Sequence, residues 1–237
     1  MKAAASRRKM AQPASESPAR HPPSVADDFL RSAELLAEVG QSFYRRGWML
    51  GTSGNLSVVV SSKPLRLAIT ASGLDKGHLT ANQIVVVDED GQVVLGEGRP
   101  SAETKLHLAI VRARGAGAVL HTHSVWSTLL SDLCAEDRGL AIEEYEMLKG
   151  LAGVETHAHR EWLPILENSQ DCDRLAETTR QALEKHPMAH GFLLRRHGLY
   201  TWGRDISDAK QHVEILEFLL EVVGRKATLP PVAQKSS

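Results

Sequence analysis

Gly115-Ala116-Gly117-Ala118-Val119-Leu120-His121-Thr122-His123-Ser124 lies near the middle of the chain, and its reading decides how the rest is organised. The apolar run Ala118 to Leu120 predicts a short buried strand, and side chains two residues apart on extended backbone leave on the same face. His121 and His123 therefore aim at one spot. Two imidazoles converging from one strand end begin a zinc site, and a catalytic zinc needs a third protein ligand and an open position. Two neighbouring histidines at a loop mouth can equally be hydrogen-bonded surface residues, so the third ligand has to be found elsewhere.

A second stretch repeats the setting. Phe192 to Leu194 reads as a buried strand, His197 sits just past its end, and Gly198 permits a close backbone approach or turn before the next strand, Leu199 to Trp202. His197 is the candidate third ligand. Upstream, Asp27 to Arg46 carries apolar residues at three- and four-residue steps and predicts an amphipathic helix that begins at an acidic cap and is stopped by Gly47. Gly51-Thr52-Ser53-Gly54-Asn55-Leu56-Ser57 is a turn-rich loop that leads into the strand Val58 to Val60, and Ala71-Ser72-Gly73-Leu74-Asp75-Lys76-Gly77 closes the strand Leu65 to Thr70. Small residues let backbone amides approach an oxyanion, and Ser, Thr and Asn add donors, so both loops are candidate phosphate cradles as well as possible tight turns. Lys76 either neutralises an anion or sits in solvent.

Ile84 to Asp88 and Gln92 to Leu95 read as a structural hairpin. Pro100 then ends a segment, and Ser101 as N-cap predicts a helix from about Ala102 with Glu103 in its first turn. A carboxylate there commonly complements the helix dipole. This helix feeds into the His121 strand, so Glu103 is also a candidate ligand or base, while His107 reads as a helix-face residue. Glu143, Glu144 and Glu146 form an acidic row expected on an exposed face; a Glu146 turned towards a metal would serve as general acid/base. His157 and His159 sit in a polar stretch and read as loop residues. Trp162 to Leu166 predicts a strand, and Asp171 to Lys185 and Asp205 to Gly224 predict amphipathic helices.

The bulk composition narrows the class. The chain has 237 residues, 42% hydrophobic and 24% charged, which suits one sizeable core. With 28 basic and 29 acidic residues and a formal net charge of -1, no nucleic acid or anionic membrane is expected as partner, and any anionic substrate must be held locally. Cys134 and Cys172 suggest free thiols and a reduced, cytoplasmic setting. No apolar run is long enough to span a bilayer. The organisation expected is a tail over 1–26, one catalytic domain over 27–226 and a tail over 227–237, the first carrying Arg7-Arg8-Lys9 and four prolines without the apolar stretch of a secretory signal.

From Asp27 to Gly224 the chain resembles the class II aldolase and adducin family. The resemblance is carried by Gly51 to Ser57 (GTSGNLS), Ala71 to Gly73, Pro100 to Thr104 (PSAET), His121 to His123, and Arg196 to Gly203 (RHGLYTWG), in that order. It implies an α/β/α sandwich with a mainly antiparallel central sheet, assembled as a homotetramer with active sites near subunit interfaces. It implies zinc on His121, His123 and His197, and a sugar phosphate whose phosphate meets Ser53, Gly54, Asn55, Ser72, Gly73 and Ser101. Family aldolases often carry two serines before the glutamate; here Ala102 takes the second place. Glu103 matches their glutamate, a base and sometimes a zinc ligand, although some dehydratases of this type carry another residue there.

Within the family, Glu146-Met147-Leu148-Lys149-Gly150 and the Arg195 to Gly203 stretch resemble the dehydratase branch of methionine salvage. That implies conversion of 5-methylthioribulose 1-phosphate to 5-methylthio-2,3-dioxopentyl phosphate and water, with Glu146 taking the C3 proton and protonating the leaving C4 hydroxyl. An aldolase or epimerase of the fuculose- or ribulose-phosphate type is the alternative enzyme, because the same metal and a related intermediate serve both. A non-catalytic adducin-like module is a third reading, disfavoured by the retained histidines and loops.

Overall fold

The computed structural model describes residues 25–229. Among these, the strands are β1 (Asn55–Ser62), β2 (Leu65–Thr70), β3 (Ile84–Val87), β4 (Val93–Leu95), β5 (Ala118–Thr122), β6 (Gly139–Glu143), β7 (Arg160–Leu166), β8 (Gly191–Leu194) and β9 (Gly198–Gly203). The helices are α1 (Val25–Arg45), α2 (Thr104–Arg114), α3 (Val125–Leu133), α4 (Cys172–Lys185) and α5 (Ile206–Thr228), with short 3-10 turns at Lys76–His78, Ala81–Gln83 and Glu146–Gly150.

All nine strands join one sheet in the order β4-β3-β2-β1-β5-β9-β8-β7-β6. Every pairing is antiparallel except β7 with β8. β5, the strand of the histidine pair, therefore lies centrally between β1 and β9. Alternation along the strands separates the layers. Val119, Phe192 and Tyr200 face a core shared with Leu106 and Ile110 of α2 and Leu175 and Leu183 of α4. Ala118 and Leu120 face the opposite side, where Leu36 and Phe43 of α1 and Ala209 and Val213 of α5 cover them. The α3 residue Leu130 and the later part of α5 continue that layer over β6, β7 and Leu193. This is the α/β/α sandwich with a mainly antiparallel sheet that the sequence implied.

Element ends differ from the sequence reading in a few places. α1 begins at Val25, two residues before Asp27, and α5 continues to Thr228, past Gly224, which packs against the ring of Trp126. Residues 1–24 and 230–237, which make up most of the two expected tails, lie outside the described residues. The helix expected from Ala102 starts at Thr104, because Ser101 forms a separate turn: its Oγ accepts from Glu103 N–H at 3.2 Å and its carbonyl from Thr104 N–H at 3.1 Å. Glu103 thus occupies the cap position, at φ -84° and ψ 6°, and its side chain is released from the helical register.

The entry to β1 fixes the strand that bears the histidines. Asn55 pairs with His121, and Gly54 immediately before it has φ +72°. A Cβ at Gly54 would lie 2.7 Å from the His121 carbonyl oxygen and 2.5 Å from Met49 Cε. Gly→Ala at a compatible site stabilises a protein through the unfolded chain; here left-handed backbone and overlap reverse the sign. Gly54→Ala is expected to cost about 2 kcal/mol and lower Tm by about 4–8 °C. A thermal melt followed by circular dichroism checks this, and an unchanged or raised Tm contradicts it.

Candidate active site

Three imidazole nitrogens meet at the ends of β5 and β8. His121 Nε2 lies 2.7 Å from His123 Nε2 and 3.3 Å from His197 Nε2, and the His123–His197 pair is at 3.1 Å. The strand pairing brings them together: β9 lies beside β5 with His121 opposite Tyr200, and His197 occupies the turn from β8 into β9. The approach requires Gly198, since a Cβ there would sit 2.0 Å from the Thr122 carbonyl oxygen. Tyr200 stacks on His121, with ring centroids 3.8 Å apart and planes 12° from parallel.

The rings are oriented from behind. His121 Nδ1–H donates to the Leu199 carbonyl at 2.9 Å, and His197 Nδ1 faces Asn168 Oδ1 at 3.4 Å, so the Nε2 lone pairs of both point inward. Burial pulls the His121 pKa well below its ordinary value, helped by the nearby His123 and His197; burial and His197 pull His123 down to about 3. Burial also lowers His197, against the charge of Glu103. Neutral imidazoles whose bare nitrogens converge are a donor set that fits zinc. Between His121 and His123, Thr122 donates its hydroxyl to the buried Glu217 of α5, whose carboxyl burial pushes up to about 7.

Glu103 stands beside the three nitrogens. Its Oε1 is 3.3 Å from His197 Nε2 and its Oε2 is 3.6 Å from His121 Nε2. A buried chain of polar groups holds it there. His107 Nδ1 accepts from Ser57 Oγ at 2.7 Å, which leaves Nε2–H to donate to Asn55 Oδ1. The Asn55 amide nitrogen then donates to Glu103 Oε2 at 2.6 Å and Ser101 Oγ at 3.0 Å. Burial alone lowers the His107 pKa to about 3, so the ring stays neutral and works as a fixed donor–acceptor bridge. The sequence reading of His107 as a helix-face residue missed this; its place one turn after Glu103 on the same helix was the available signal.

A cavity of about 160 Å³ opens next to this cluster, and Glu103, His123 and His197 form one wall of it. Gly54, Asn55, Ser72, Gly73 and Ser101 line it, as does Thr52, whereas Ser53 is not among the lining residues. Lys76 also lines it and is 1% exposed. Its ammonium donates to the carbonyls of Leu74 at 2.9 Å and Thr52 at 3.3 Å, which ties the two small-residue loops together and leaves one of its three protons unassigned. Burial pulls its pKa down to about 8, opposed by Asp75. Lys76 is therefore not a solvent-exposed residue, one of the two readings its sequence position left open.

Glu146 is placed elsewhere. It opens the 3-10 turn Glu146–Gly150, its side chain is 71% exposed, and it pairs with Lys149 and lies 4.0 Å from His157 Nδ1. The Lys149 hydrogen bond holds its carboxyl below the usual range. It does not line the cavity of its own chain. His157 and His159 lie in the loop before β7, as expected, yet the His159 ring is not a free surface group: its Nε2 is 2.9 Å from Glu161 Oε2.

Residues 34–223 match the Class II Aldolase and Adducin N-terminal domain, so the chain belongs to that family. Within it, the methylthioribulose-1-phosphate dehydratase of Marinobacter nauticus is 44% identical over 194 residues, spanning 81% of this chain and 92% of that one. The methylthioribulose-1-phosphate dehydratase of Methylococcus capsulatus is 44% identical over 196 residues, 82% of this chain and 93% of the other. Among solved structures, an L-fuculose 1-phosphate aldolase superposes with a TM-score of 0.69 at 26% identity, covering 85% of this chain and 89% of that one.

The Ser57–His107–Asn55 chain has a measurable consequence. In His107→Phe the buried Asn55 carbonyl loses its donor, the amide is free to turn, and Glu103 loses its shortest hydrogen bond. A lost buried hydrogen bond of this kind is expected to lower kcat about tenfold while zinc content stays unchanged. His107→Gln, which can offer Asn55 an N–H, should recover part of the rate. Steady-state kinetics with metal analysis checks this, and full activity in His107→Phe removes the positioning role.

Proposed function

We propose that the chain is a zinc-dependent hydro-lyase that converts 5-methylthioribulose 1-phosphate to 5-methylthio-2,3-dioxopentyl phosphate and water, a step of methionine salvage. The observation that carries dehydration over carbon–carbon cleavage is the chain's greater likeness to the methylthioribulose-1-phosphate dehydratases than to the fuculose-phosphate aldolase. His121, His123 and His197 would hold about one zinc per chain, with Glu103 adjacent. A zinc bound there supplies Lewis acidity to the substrate's C2 carbonyl and makes the neighbouring C3 hydrogen acidic.

The chain's own groups do the rest. The substrate phosphate lies against Ser72, Gly73, Gly54 and the Lys76 ammonium, which supplies the local positive charge that the near-neutral chain lacks overall. Ser101 Oγ accepts from Asn55 and Glu103, so its own proton remains to donate to a substrate oxygen. Glu103, anchored by Asn55, orients the substrate hydroxyls or accepts a proton from them. Ser53 and Asn55 act through the loop and through Glu103, respectively.

Glu146 is assigned the acid/base role: its carboxylate takes the C3 proton and returns one to the departing C4 hydroxyl. Because it does not line its own cavity, this role places it at the cavity of a neighbouring copy in a homotetramer. α3 begins two residues after His123 and exposes Val125, Leu129 and Leu133, four residues apart on one face, an apolar stripe suited to burial between copies. No helix among the described residues is long and apolar enough to cross a membrane. The two free thiols, Cys134 and Cys172, support the assignment of the enzyme to the reducing cytoplasm.

The decisive measurement is incubation with 5-methylthioribulose 1-phosphate. A diketone absorbing in the near ultraviolet is expected, while release of a two- or three-carbon aldehyde would indicate an aldolase. Glu146→Gln should abolish turnover with zinc retained, and His197→Ala should lose both turnover and the active-site zinc. Refolding the two inactive variants together should restore turnover, since some sites then combine intact histidines with an intact Glu146 from another copy. A mixture that stays inactive removes the placement of Glu146 across the interface.

A further inference from the structure

A second set of metal-type ligand atoms converges where β7 and β8 meet the segment that precedes β7. Glu161, the second residue of β7, has a carboxylate side chain that is only 1% exposed. His190, just before β8, donates its backbone N–H to Glu161 Oε1 at 2.9 Å, which leaves Oε2 as the free oxygen. His159 Nε2 and His190 Nδ1 both lie 2.9 Å from that oxygen. The three atoms fall within 4.8 Å of one another.

The orientation of His190 repeats that of His121. Its Nε2–H donates to the Ala152 carbonyl at 2.8 Å, so Nδ1 is the nitrogen turned towards the cluster, as the Leu199 carbonyl turns Nε2 of His121 inward. A ring N–H fixed on a carbonyl is the usual second contact of a metal-bound histidine. Glu161 Oε2 is therefore faced by both imidazoles at hydrogen-bond distance, from two different strand ends. The His159 side chain is 24% exposed and His190 12%, so the cluster opens to solvent on one side, where water can complete the coordination.

We propose that His159, Glu161 and His190 form a second divalent-metal site, distinct from the His121–His123–His197 cluster and suited to zinc by its two imidazoles and one carboxylate. The site is a clamp on the segment 151–159. Ala152 in that segment is already held at both backbone groups, its carbonyl by His190 and its N–H by His212 Nε2 at 3.1 Å, while His212 Nδ1–H donates to the Trp202 carbonyl at 2.7 Å. The segment follows the Glu146–Gly150 turn directly, so an ion bound here fixes the base from which Glu146 projects.

The test is a titration of the chelator-stripped full chain with zinc chloride against a competing chromophoric chelator. The wild type is expected to bind two equivalents per chain and His197→Ala one. His159→Ala and His159→Gln, changed at the most exposed ligand, should also bind one and keep the zinc that His197 needs; the double variant of His159 and His197 should bind none tightly. Zinc should raise the Tm of His197→Ala but not of the double variant. A wild type that binds a single equivalent, lost in His197→Ala, overturns the second site and leaves the first intact. Retention of both equivalents in His159→Ala and His159→Gln overturns it as well.

Discussion

The structure depends on how closely β9 approaches β5. Three bare imidazole nitrogens can share a space of about 3 Å only if the turn from β8 delivers His197 against the end of β5, and Gly198 allows this because no side chain fits between its Cα and the Thr122 carbonyl. On the other edge of β5, Gly54 lets β1 come close to His121, since a Cβ there would lie 2.7 Å from the His121 carbonyl oxygen. The convergence of the three histidines is therefore a product of sheet pairing, and the helices on both faces serve to keep that pairing in register. Converging lone pairs repel one another, so the apolar layers around Val119, Leu120 and Tyr200 supply the rigidity that the histidines do not supply for themselves.

Behind the histidines, each polar group is committed to one role by its neighbours. Ser57 fixes the proton of His107, His107 fixes the amide of Asn55, and Asn55 fixes the carboxylate of Glu103. Every member of this chain is buried or nearly so, and the cost of leaving any one unpaired enforces the orientation of the next. Lys76 does comparable work for the two loops, since its bonds to Thr52 and Leu74 hold them at one spacing while its charge faces the cavity. The proposed anion site is thus built from a buried lysine and small residues, without the cluster of surface cations that net charge alone would have revealed.

Much of this was legible in the sequence. Period-two and period-3.6 patterns located the strands and helices, and the His-x-His pair with a third histidine after an apolar strand located the cluster. What stayed hidden depended on tertiary position. His107 looked like any histidine on a helix face, because its partners Ser57 and Asn55 lie some fifty residues away in sequence. Lys76 was undecidable, since its burial results from packing of the 3-10 turn Lys76–His78 beneath α1. The start of α2 was misplaced because Ser101 makes its own turn before the helix, a detail that also frees Glu103. His159 read as a loop residue, since His190 reaches its neighbour Glu161 only through the parallel pairing of β7 with β8.

The cradle and the loops by themselves do not choose a reaction. A metal beside a carbonyl and a held phosphate serves cleavage, epimerisation or dehydration equally, because each begins by labilising a bond next to that carbonyl. The choice rests on where a second proton donor stands relative to the C4 oxygen. In this chain the assigned donor, Glu146, is displayed on the surface beside Lys149 instead of in its own cavity. In the proposed function its position at a neighbouring site is set by two things: the packing between copies, and the rigidity of the segment behind it. The hydrogen bonds of His190 and His212 to Ala152 supply that rigidity within each chain, so in the proposed reaction the group that chooses the chemistry is anchored apart from the histidines that would hold the metal.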